Sequence, residues 1–271
     1  MTGKSIPVCL LVAAALASSS PVACAQQNLT TDIPDRYLDG RRAAFVLCDV
    51  KRGIYTRFNP AGCATRHSPA STFKIPNSLI GLETGVISDE HFVVPWDSVI
   101  RPVPTWNRDH DLASAFANSV VPYYQEVARR IGEGLMRKYV RTFAYGNMDV
   151  SGPLDRFWLG SSLLISADEQ VAFLRKLAGG DLPCTLRSLD LVRHIMVLEQ
   201  TGGHVLRGKT GFTEELSGGV VGWFVGYVET RDGTYIFAFN MTSDDPRRDG
   251  EWIFQNRKSV AHSILRDLGI L

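Results

Sequence analysis

The order of strand and helix patterns along this 271-residue chain predicts an α+β fold with an antiparallel sheet formed by both chain ends. Strand patterns occur near the start and again near the end, whereas residues 71 to about 200 are mostly helical in periodicity. A further apolar stripe at helical spacing closes the chain. We therefore expect helices to flank the sheet, with a helical subdomain of about residues 71–199 inserted between sheet segments of about 26–70 and 200–271.

The first 25 residues have the form of a secretory signal. Lys4 is followed by the apolar run VCLLVAAALA and by small residues that end in an A-x-A cleavage site at Ala23–Ala25. The apolar run is shorter than the roughly 20 residues of a membrane span, and Pro21 disfavours a lipid anchor at Cys24. We expect export to the periplasm and a mature domain of residues 26–271.

Composition and charge exclude several classes of protein. The chain is 45% hydrophobic and 21% charged, which indicates a globular protein rather than a disordered chain or a coiled coil. Without Lys4, the 29 basic residues become 28 and balance the 28 acidic ones, so nothing favours nucleic acid or an anionic membrane as a partner. The histidines form no H-E-x-x-H motif and no glycine-rich phosphate loop occurs, so we expect no metal and no bound cofactor.

The first sheet segment is predicted as a hairpin of the strands AAFVLCDV (43–50) and GIYTRF (53–58). The mature chain keeps Cys48, Cys63 and Cys184, which in an oxidising compartment gives one pair and one odd thiol. Because Cys48 and Cys63 flank the hairpin, we expect a disulfide between them and a buried thiol at Cys184.

The second sheet segment is predicted from the strands HVLRGKTGF (204–212), GVVGWFVGYVET (219–230) and TYIFAFNM (234–241). Asp232-Gly233 joins the last two and is a strong hairpin signal. Between the sheet segments, Ser166-Ala167-Asp168-Glu169 resembles the capped start of a helix. In the closing helix, one apolar stripe is formed by Ile253, Val260, Ala261, Ile264 and Leu268.

The stretch HSPASTFKIPNSLIGLETG (67–85) places Ser71 and Lys74 on the same helical face as a row of aliphatic residues. Burial of Lys74 would lower its pKa and give a neutral amine that can take a proton from Ser71. Free backbone N–H groups near the helix start could hold an oxyanion, and Pro76 is expected to distort the helix beside the pair. The spacing S-x-x-K alone is weak evidence, because it occurs by chance about once in a chain of this size.

Three further motifs are ambiguous when each is taken alone. Lys209, Thr210 and Gly211 could line a groove for an extended anionic ligand, or belong to an ordinary exposed strand. The loop sequences SVV (119–121) and YGN (145–147) could equally be turns or helix caps. The order of all four motifs is therefore more informative than any one of them.

In that order, the motifs make the chain resemble the class D β-lactamases, the oxacillinase type of penicillin-recognising serine enzyme. The motifs that carry the resemblance are STFK, SVV, YGN, FWLGSSL (157–163), KTGF (209–212) and GWFVGYVE (222–229). They extend over nearly the whole mature chain, and the SDN motif of class A enzymes does not appear. The resemblance implies hydrolysis of penicillins and related antibiotics, and hence resistance. The alternatives are a β-lactam sensor domain and a penicillin-binding DD-peptidase.

The resemblance also implies roles for residues around the nucleophile. Ser71 would be acylated, and its backbone N–H would form an oxyanion hole with that of Phe212. Lys74 would take up CO2 as a carbamate and so act as general base, with no metal required. Trp158 would donate its indole N–H to that carbamate, and Ser119 would relay a proton to the departing lactam nitrogen.

The implied substrate is a small β-lactam whose carboxylate would be held by Lys209, Thr210 and Arg257, beside the side-chain-free Gly211. Arg257 has independent support, because it falls on the apolar stripe of the closing helix, four residues after Ile253. A charged residue in such a place requires a buried partner or a ligand.

The remaining implied residues shape the pocket. Val121 and Leu159 would form an apolar lid that controls the access of water, and Tyr145 would contribute to the pocket wall. The protein would act as a monomer or a homodimer, without nucleic acid or, after loss of the signal, membrane as a partner.

Overall fold

A seven-stranded sheet organises the part of the chain that the computed structural model describes, residues 27–271. The predicted signal segment, residues 1–25, lies outside the described residues. The strands are β1 (Gln27–Thr30), β2 (Arg42–Asp49), β3 (Ile54–Phe58), β4 (Val197–Gln200), β5 (His204–Glu214), β6 (Val220–Thr230) and β7 (Thr234–Ser243). Their order across the sheet is β1-β3-β2-β7-β6-β5-β4. Strands from both chain ends therefore meet at the β2–β7 pair, which confirms the predicted α+β architecture.

The helices lie between the strands and after them. They are α1 (Asp35–Leu38), α2 (Pro60–Ala64), α3 (Lys74–Glu83), α4 (Leu112–Ala117), α5 (Val121–Ile131), α6 (Glu133–Thr142), α7 (Ala167–Gly179), α8 (Leu186–Ile195) and α9 (Pro246–Asp267). Short 3-10 turns cover Ala70–Phe73 and Pro104–Trp106. Within residues 27–271, no helix combines the length and the apolar character that crossing a bilayer requires.

Strand pairing follows the prediction except at one edge. The neighbouring strands from β3 to β4 all run antiparallel, and the β6–β7 hairpin turns at Arg231–Gly233, where the Thr230 N–H donates to the Gly233 carbonyl at 2.9 Å. The edge strand β1 instead runs parallel to β3, with Asn28 opposite Tyr55. The predicted antiparallel sheet therefore has one parallel edge strand, β1, which pairs with the free edge of β3 outside the hairpin.

Alternation along the strands divides the core into two layers. In β2, Ala44 and Val46 face the helical half of the molecule, while Phe45 and Leu47 face the side covered by α9. The predicted stripe of α9 is confirmed, since Ile253 and its stripe partners are buried or packed in this second layer. The sheet is therefore buried on both faces, as its long hydrophobic strands require.

Helix α7 begins as predicted but packs in an unexpected place. The Ser166 hydroxyl accepts the Glu169 N–H at 3.2 Å, and the Glu169 carboxylate accepts the Ser166 N–H at 2.9 Å, which confirms the capping box. Buried α7 residues such as Val171 and Leu174 lie in the same layer as the inner residues of β2, β6 and β7. The apolar face of α7 therefore covers the sheet, although α7 falls within residues 71–199, for which a helical subdomain is predicted.

The three described cysteines are free thiols, so the predicted disulfide between Cys48 and Cys63 is wrong. Cys63 lies in α2, and its Sγ contacts the Phe45 and Phe58 carbonyl oxygens at 3.3 and 3.2 Å. Cys48 pairs with Tyr55, three residues further along β2 than Phe45, or about 10 Å at strand spacing. The Cys63 thiol therefore contacts the backbone of β2 at Phe45 and not the Cys48 side chain. Burial raises the pKa of the Cys63 thiol to about 12.

Candidate active site

Ser71 lies on the 3-10 turn Ala70–Phe73, which leads directly into α3. Lys74, the first residue of α3, donates from Nζ to Ser71 Oγ at 2.8 Å. Ala70 has a φ of +49°, a left-handed conformation that costs energy for a residue with a Cβ. The 3-10 turn changes to an α-helix at Lys74, and Pro76 lies in the first turn of that helix. The predicted proximity of Ser71 and Lys74 on one face is confirmed.

The surroundings of Lys74 disfavour its charged form. Its side chain is fully buried, and burial lowers its pKa well below the usual range, with the positive charge of Lys209 adding to the effect. The Tyr124 ring lies beside the amine, with its centroid 5.3 Å from Nζ. Ser78 fixes this wall, because its hydroxyl donates to the Lys74 carbonyl at 2.7 Å and lies 2.9 Å from the Tyr124 hydroxyl.

Trp158 closes the same apolar region and leaves one polar atom unsatisfied. Its indole is fully buried and stacks on Phe73, with ring centroids 5.5 Å apart. Within the described residues, its Nε1–H has no hydrogen-bond partner. A buried donor without a hydrogen bond destabilises the folded state by about 1–3 kcal/mol, so an acceptor bound to this N–H would be stabilising. The indole position is set by Ser68, whose hydroxyl donates to the Trp158 carbonyl at 3.0 Å.

Lys209 and Ser119 form a second amine–hydroxyl pair across the pocket. Lys209 on β5 donates from Nζ to Ser119 Oγ in a short hydrogen bond and to the Thr210 carbonyl at 3.2 Å. Burial lowers the pKa of Lys209 to about 7, and the charge of Arg257 contributes. Ser119 itself adopts a φ of +54° in the loop between α4 and α5. This strained loop presents the hydroxyl to the lysine.

Gly211 allows β5 to approach the turn that carries Ser71. A Cβ at this position would lie 3.0 Å from the Pro69 carbonyl oxygen and 3.3 Å from the Ala70 Cβ. Glycine is therefore needed for close packing here. β4 pairs with β5 only at Val205–Arg207, so within the described residues the outer edge of β5 around Phe212 has no neighbouring strand. This edge lies beside the serine and is open to an extended ligand.

Arg257 reaches this edge from α9. Gly222 on β6, opposite Phe212, makes room for the aliphatic part of Arg257, because a Cβ there would lie 3.3 Å from the Arg257 Cδ. The guanidinium carbon is 4.3 Å from the centroid of the Phe254 ring, and its Nε–H has no partner among residues 27–271. Burial lowers the pKa of Arg257 to about 10.

The pocket therefore collects positive charge without a matching carboxylate. In the described part of the chain, none of Lys74, Lys209 and Arg257 forms an ion pair with an acidic side chain. The charges that lower the pKa values of Lys74 and Lys209 are those of other cations, and the pKa of Arg257 is lowered by burial alone. Such an arrangement favours an anionic ligand. Among the same residues, no cluster of His, Cys, Asp or Glu side chains has the geometry to hold a metal.

Most of the predicted site residues meet at this pocket, but they are not equivalent. Thr210 and Phe212 lie on the α9 side of β5, whereas Lys209 and Gly211 face the helical side. Val121, the first residue of α5, and Leu159, which follows Trp158, are both half-buried.

Tyr145 is the exception to the predicted site. Its side chain is fully buried, and its ring packs edge-to-face on Phe73 with centroids 5.7 Å apart. Its hydroxyl lies 3.5 Å from the Gln170 amide oxygen, deep in the core. The assignment of Tyr145 as a substrate-binding residue is therefore wrong, because no part of the ring is accessible to a ligand. It supports the Ser71 turn from behind.

Sequence reasoning missed the residues that hold the segment before Ser71. Glu215, which follows β5, contacts both His67 and Ser68 across a sequence separation of 147–148 residues. Tyr124, whose ring faces Lys74, was also missed. No local pattern distinguishes these residues, because their partners are distant in sequence. The only available signal was the presence of polar residues next to the S-x-x-K motif.

Comparisons with known proteins agree on one family. Residues 43–267 match the profile of the penicillin binding protein transpeptidase domain. Beta-lactamase OXA-48 from Klebsiella pneumoniae is 46% identical over 203 residues, which cover 75% of this chain and 74% of that protein. The crystal structure of the class D β-lactamase YbXI from Nostoc superposes with a TM-score of 0.82 at 38% identity, covering 89% of this chain and all of that one. The class D β-lactamase from Sebaldella termitidis gives a TM-score of 0.85 at 32% identity, covering 90% and 99%.

Proposed function

This chain belongs to the class D β-lactamases, serine enzymes within the penicillin-binding transpeptidase family, and on that premise we propose that Ser71 is the nucleophile and Lys74 its base. Members of this class hydrolyse β-lactam antibiotics and thereby confer resistance. The observation that carries the proposal is the 2.8 Å contact between the buried Lys74 Nζ and Ser71 Oγ. A lysine with a strongly lowered pKa can accept the serine proton at neutral pH.

Acylation uses the residues on both sides of the pocket. The Ser71 proton passes to the Lys74 side chain while Oγ bonds to the lactam carbonyl carbon, and the resulting oxyanion is held by the N–H groups of Ser71 and Phe212. The lactam C–N bond then breaks. The departing nitrogen receives a proton through the Ser119 hydroxyl from Lys209, whose pKa of about 7 suits that transfer.

A carbamate on Lys74 fits the surroundings of the amine. Only a neutral amine adds CO2, and burial keeps Lys74 in that form. The unpaired Trp158 N–H offers the hydrogen bond that a buried carbamate oxygen needs. When bound, CO2 supplies an anionic oxygen base for acylation and for activation of the deacylating water. Trp158 and Ser71 would hold the group in place.

Substrate binding is assigned to the strand side. Lys209, Thr210 and Arg257 would hold the carboxylate, because the site has cations but no acidic partner for them. Gly211 lets β5 approach the turn that carries Ser71, so the carboxylate site lies close to the nucleophile. The half-buried Val121 and Leu159 would restrict water on the opposite side.

Export to the periplasm is part of the same proposal. Residues 1–25 have the charge, apolar run and cleavage site of a signal peptide. N-terminal sequencing of the protein from a periplasmic extract should begin at Gln26. A protein that keeps its first residues, or that stays in the cytoplasm, contradicts this assignment.

The nucleophile and base are tested by quenched mass spectrometry with a simple penicillin. Wild type should turn over many substrate molecules, Lys74→Ala should accumulate an adduct on the Ser71 peptide, and Ser71→Ala should form none. Turnover by Ser71→Ala, or an adduct elsewhere, would refute the assignment. A single equivalent of hydrolysis by wild type would favour the sensor or peptidase alternatives.

The carbamate needs its own measurement. Labelled bicarbonate should give a carbamate carbon signal in the NMR spectrum of wild type, and this signal should be absent from Lys74→Ala and weaker in Trp158→Phe. Activity lost in degassed acidic buffer should return on addition of bicarbonate. Activity indifferent to bicarbonate, with no carbamate signal, would remove the modified lysine from the mechanism.

A further inference from the structure

One carboxylate joins two segments that both end at the pocket. Glu215, the residue after β5, accepts the Ser68 N–H at 3.0 Å through Oε1. Its Oε2 lies 3.1 Å from Nδ1 of the neighbouring His67. The side chains of Glu215 and His67 are only 16% and 17% exposed. The bond therefore lies in a largely water-free region, where it resists solvent competition.

Ser68, which is bonded to Glu215, also forms hydrogen bonds with other parts of the site. Its hydroxyl donates to the Trp158 carbonyl at 3.0 Å and accepts the Gly160 N–H at 2.8 Å. Its carbonyl accepts the indole N–H of Trp223 at 2.9 Å. Trp223 lies on β6 directly opposite Gly211. Ser68 is therefore fixed at once to the sheet, to the Trp158 loop and to the end of β5.

Ser68 and Glu215 are equally far in sequence from the two residues whose N–H groups are the proposed oxyanion donors. Ser68 lies three residues before Ser71, and Glu215 lies three residues after Phe212. The two proposed oxyanion donors thus belong to separate segments, which Glu215 connects. We propose that Glu215 is a positioning residue that fixes the separation of the Ser71 and Phe212 N–H groups. This proposal rests on the assignment of Ser71 as nucleophile.

The charges around Glu215 favour the ionised form of its carboxylate. Burial raises the pKa of Glu215, but the hydrogen bond and charge of His67 and the Ser68 N–H outweigh burial and hold the pKa below its usual value. Glu215 is therefore ionised at neutral pH. An ionised acceptor forms stronger hydrogen bonds than a neutral one, so the Glu215 carboxylate binds the backbone N–H of Ser68 strongly.

A positioning role predicts a specific kinetic signature. The oxyanion exists only after attack, so a displaced donor lowers kcat and leaves KM nearly unchanged. Loss of a whole oxyanion donor costs roughly 10²–10³ in kcat, so a misplaced one should cost less, on the order of tenfold to a hundredfold. We expect that loss for Glu215→Ala. Glu215→Gln keeps one uncharged acceptor for Ser68 and should lose less.

The experiment compares these variants with Glu214→Ala, which removes the same charge from the exposed neighbouring residue. Steady-state kinetics with a chromogenic β-lactam should show kcat falling in the order Glu214→Ala, Glu215→Gln, Glu215→Ala, with KM constant, after normalisation to folded protein by circular dichroism. The rate of acylation in stopped flow should fall in the same order.

Three outcomes would overturn the proposal. A lower Tm with unchanged kcat would make Glu215 a structural brace only, and a higher KM with unchanged kcat would make it a substrate contact. A Glu214→Ala variant as impaired as Glu215→Ala would reduce the effect to net charge. If Glu215→Ala does not fold, Glu215→Gln carries the same test. Turnover by Ser71→Ala would instead refute the nucleophile assignment, so the two failures are distinguishable.

Discussion

The helical and strand sides of the pocket each contain a buried lysine bonded to a serine hydroxyl, but their surroundings differ. Lys74 is fully buried with the Tyr124 ring centroid 5.3 Å from its Nζ, and its pKa is held well below the usual range. Lys209 is 5% exposed at a sheet edge near Arg257, and its pKa is lowered to about 7. The deeper lysine therefore suits a base, whereas the shallower one can exist in both protonation states near neutral pH.

The difference lies in the secondary structure that presents each amine. α3 directs Lys74 back over its own first turn toward Ser71, into the apolar layer of the core. β5 presents Lys209 at a strand edge that a ligand can reach. One fold thus gives the same residue type two environments, and the following variants test whether the two roles can be separated.

The largest effect is expected on the helical side. Lys74→Ala removes the proposed base, so kcat should fall on the order of 10²–10⁴-fold, with accumulation of acyl-enzyme. Rapid quench with a penicillin measures both quantities. Lys176→Ala on α7 serves as the control and should behave as wild type. A Lys74→Ala enzyme with normal turnover would show that the two sides do not differ as described.

On the strand side, Arg257→Ala should raise KM more than it lowers kcat. A hydrogen bond between charged groups is worth roughly 1.5–3 kcal/mol, or on the order of tenfold to a hundredfold in kcat/KM. Steady-state kinetics on carboxylate-bearing β-lactams measures the change. The matched control is Lys258→Ala, whose exposed side chain lies next in the sequence. Unchanged kcat/KM for every such substrate would remove Arg257 from the site.

Lys209 should make stability depend on pH. Its folded pKa of about 7 lies below the roughly 10.4 of an unfolded lysine, so between these values the unfolded state binds one more proton. The free energy of unfolding should therefore rise with pH across this window, by up to about 1.4 kcal/mol per pH unit from this group, and the penalty should be complete below pH 7.

Lys209→Met should remove that contribution. Chemical unfolding of wild type and variant between about pH 7 and pH 9 measures the two slopes. Lys258→Met, which changes an exposed lysine, should keep the wild-type slope. Equal slopes for wild type and Lys209→Met would mean that Lys209 is not buried as a strongly perturbed amine, and the contrast between the two lysines would then weaken.

The smallest effect is expected away from both lysines, at the start of α7. Ser166→Ala removes the capping box and should lower the free energy of unfolding by about 1 kcal/mol, without changing kcat/KM. Denaturant unfolding and steady-state kinetics measure these quantities, and Ser166→Thr should recover part of the stability. A loss of activity would show that α7 couples to the site through the sheet.

The sequence predicted most of the architecture because its signals are local. Strand alternation, the turn at Asp232-Gly233 and the Ser166 capping box depend on residues close together in the chain. For the same reason it placed Ser71 beside Lys74, one helical turn apart. A carboxylate site that Lys209 and Arg257 share was implied by the resemblance, with independent support only for Arg257, since the meeting of the two residues depends on the packing of α9 against β6.

Tertiary structure determined the contacts and the burial of residues for which local sequence patterns gave no prediction or a wrong one. The positions of Cys48 and Cys63 around a hairpin suggested a bridge, but the packing of α2 directs the Cys63 thiol to the Phe45 carbonyl, and both cysteines are free thiols. Likewise, Tyr145 belongs to a motif associated with the pocket, yet packing against Phe73 buries it behind the site. The distance between two such residues depends on strand register and on packing, and neither can be read from local sequence patterns.

The sequence by itself thus determined most of the strands and helices, the sheet flanked by helices and the serine–lysine pair, because these follow from periodicity and short-range geometry. Only the folded chain decided which lysine is buried more deeply, which polar atoms are left without partners and how Glu215 meets Ser68. These properties depend on residues more than a hundred positions apart being brought into one low-dielectric region, where small differences in burial produce large differences in protonation.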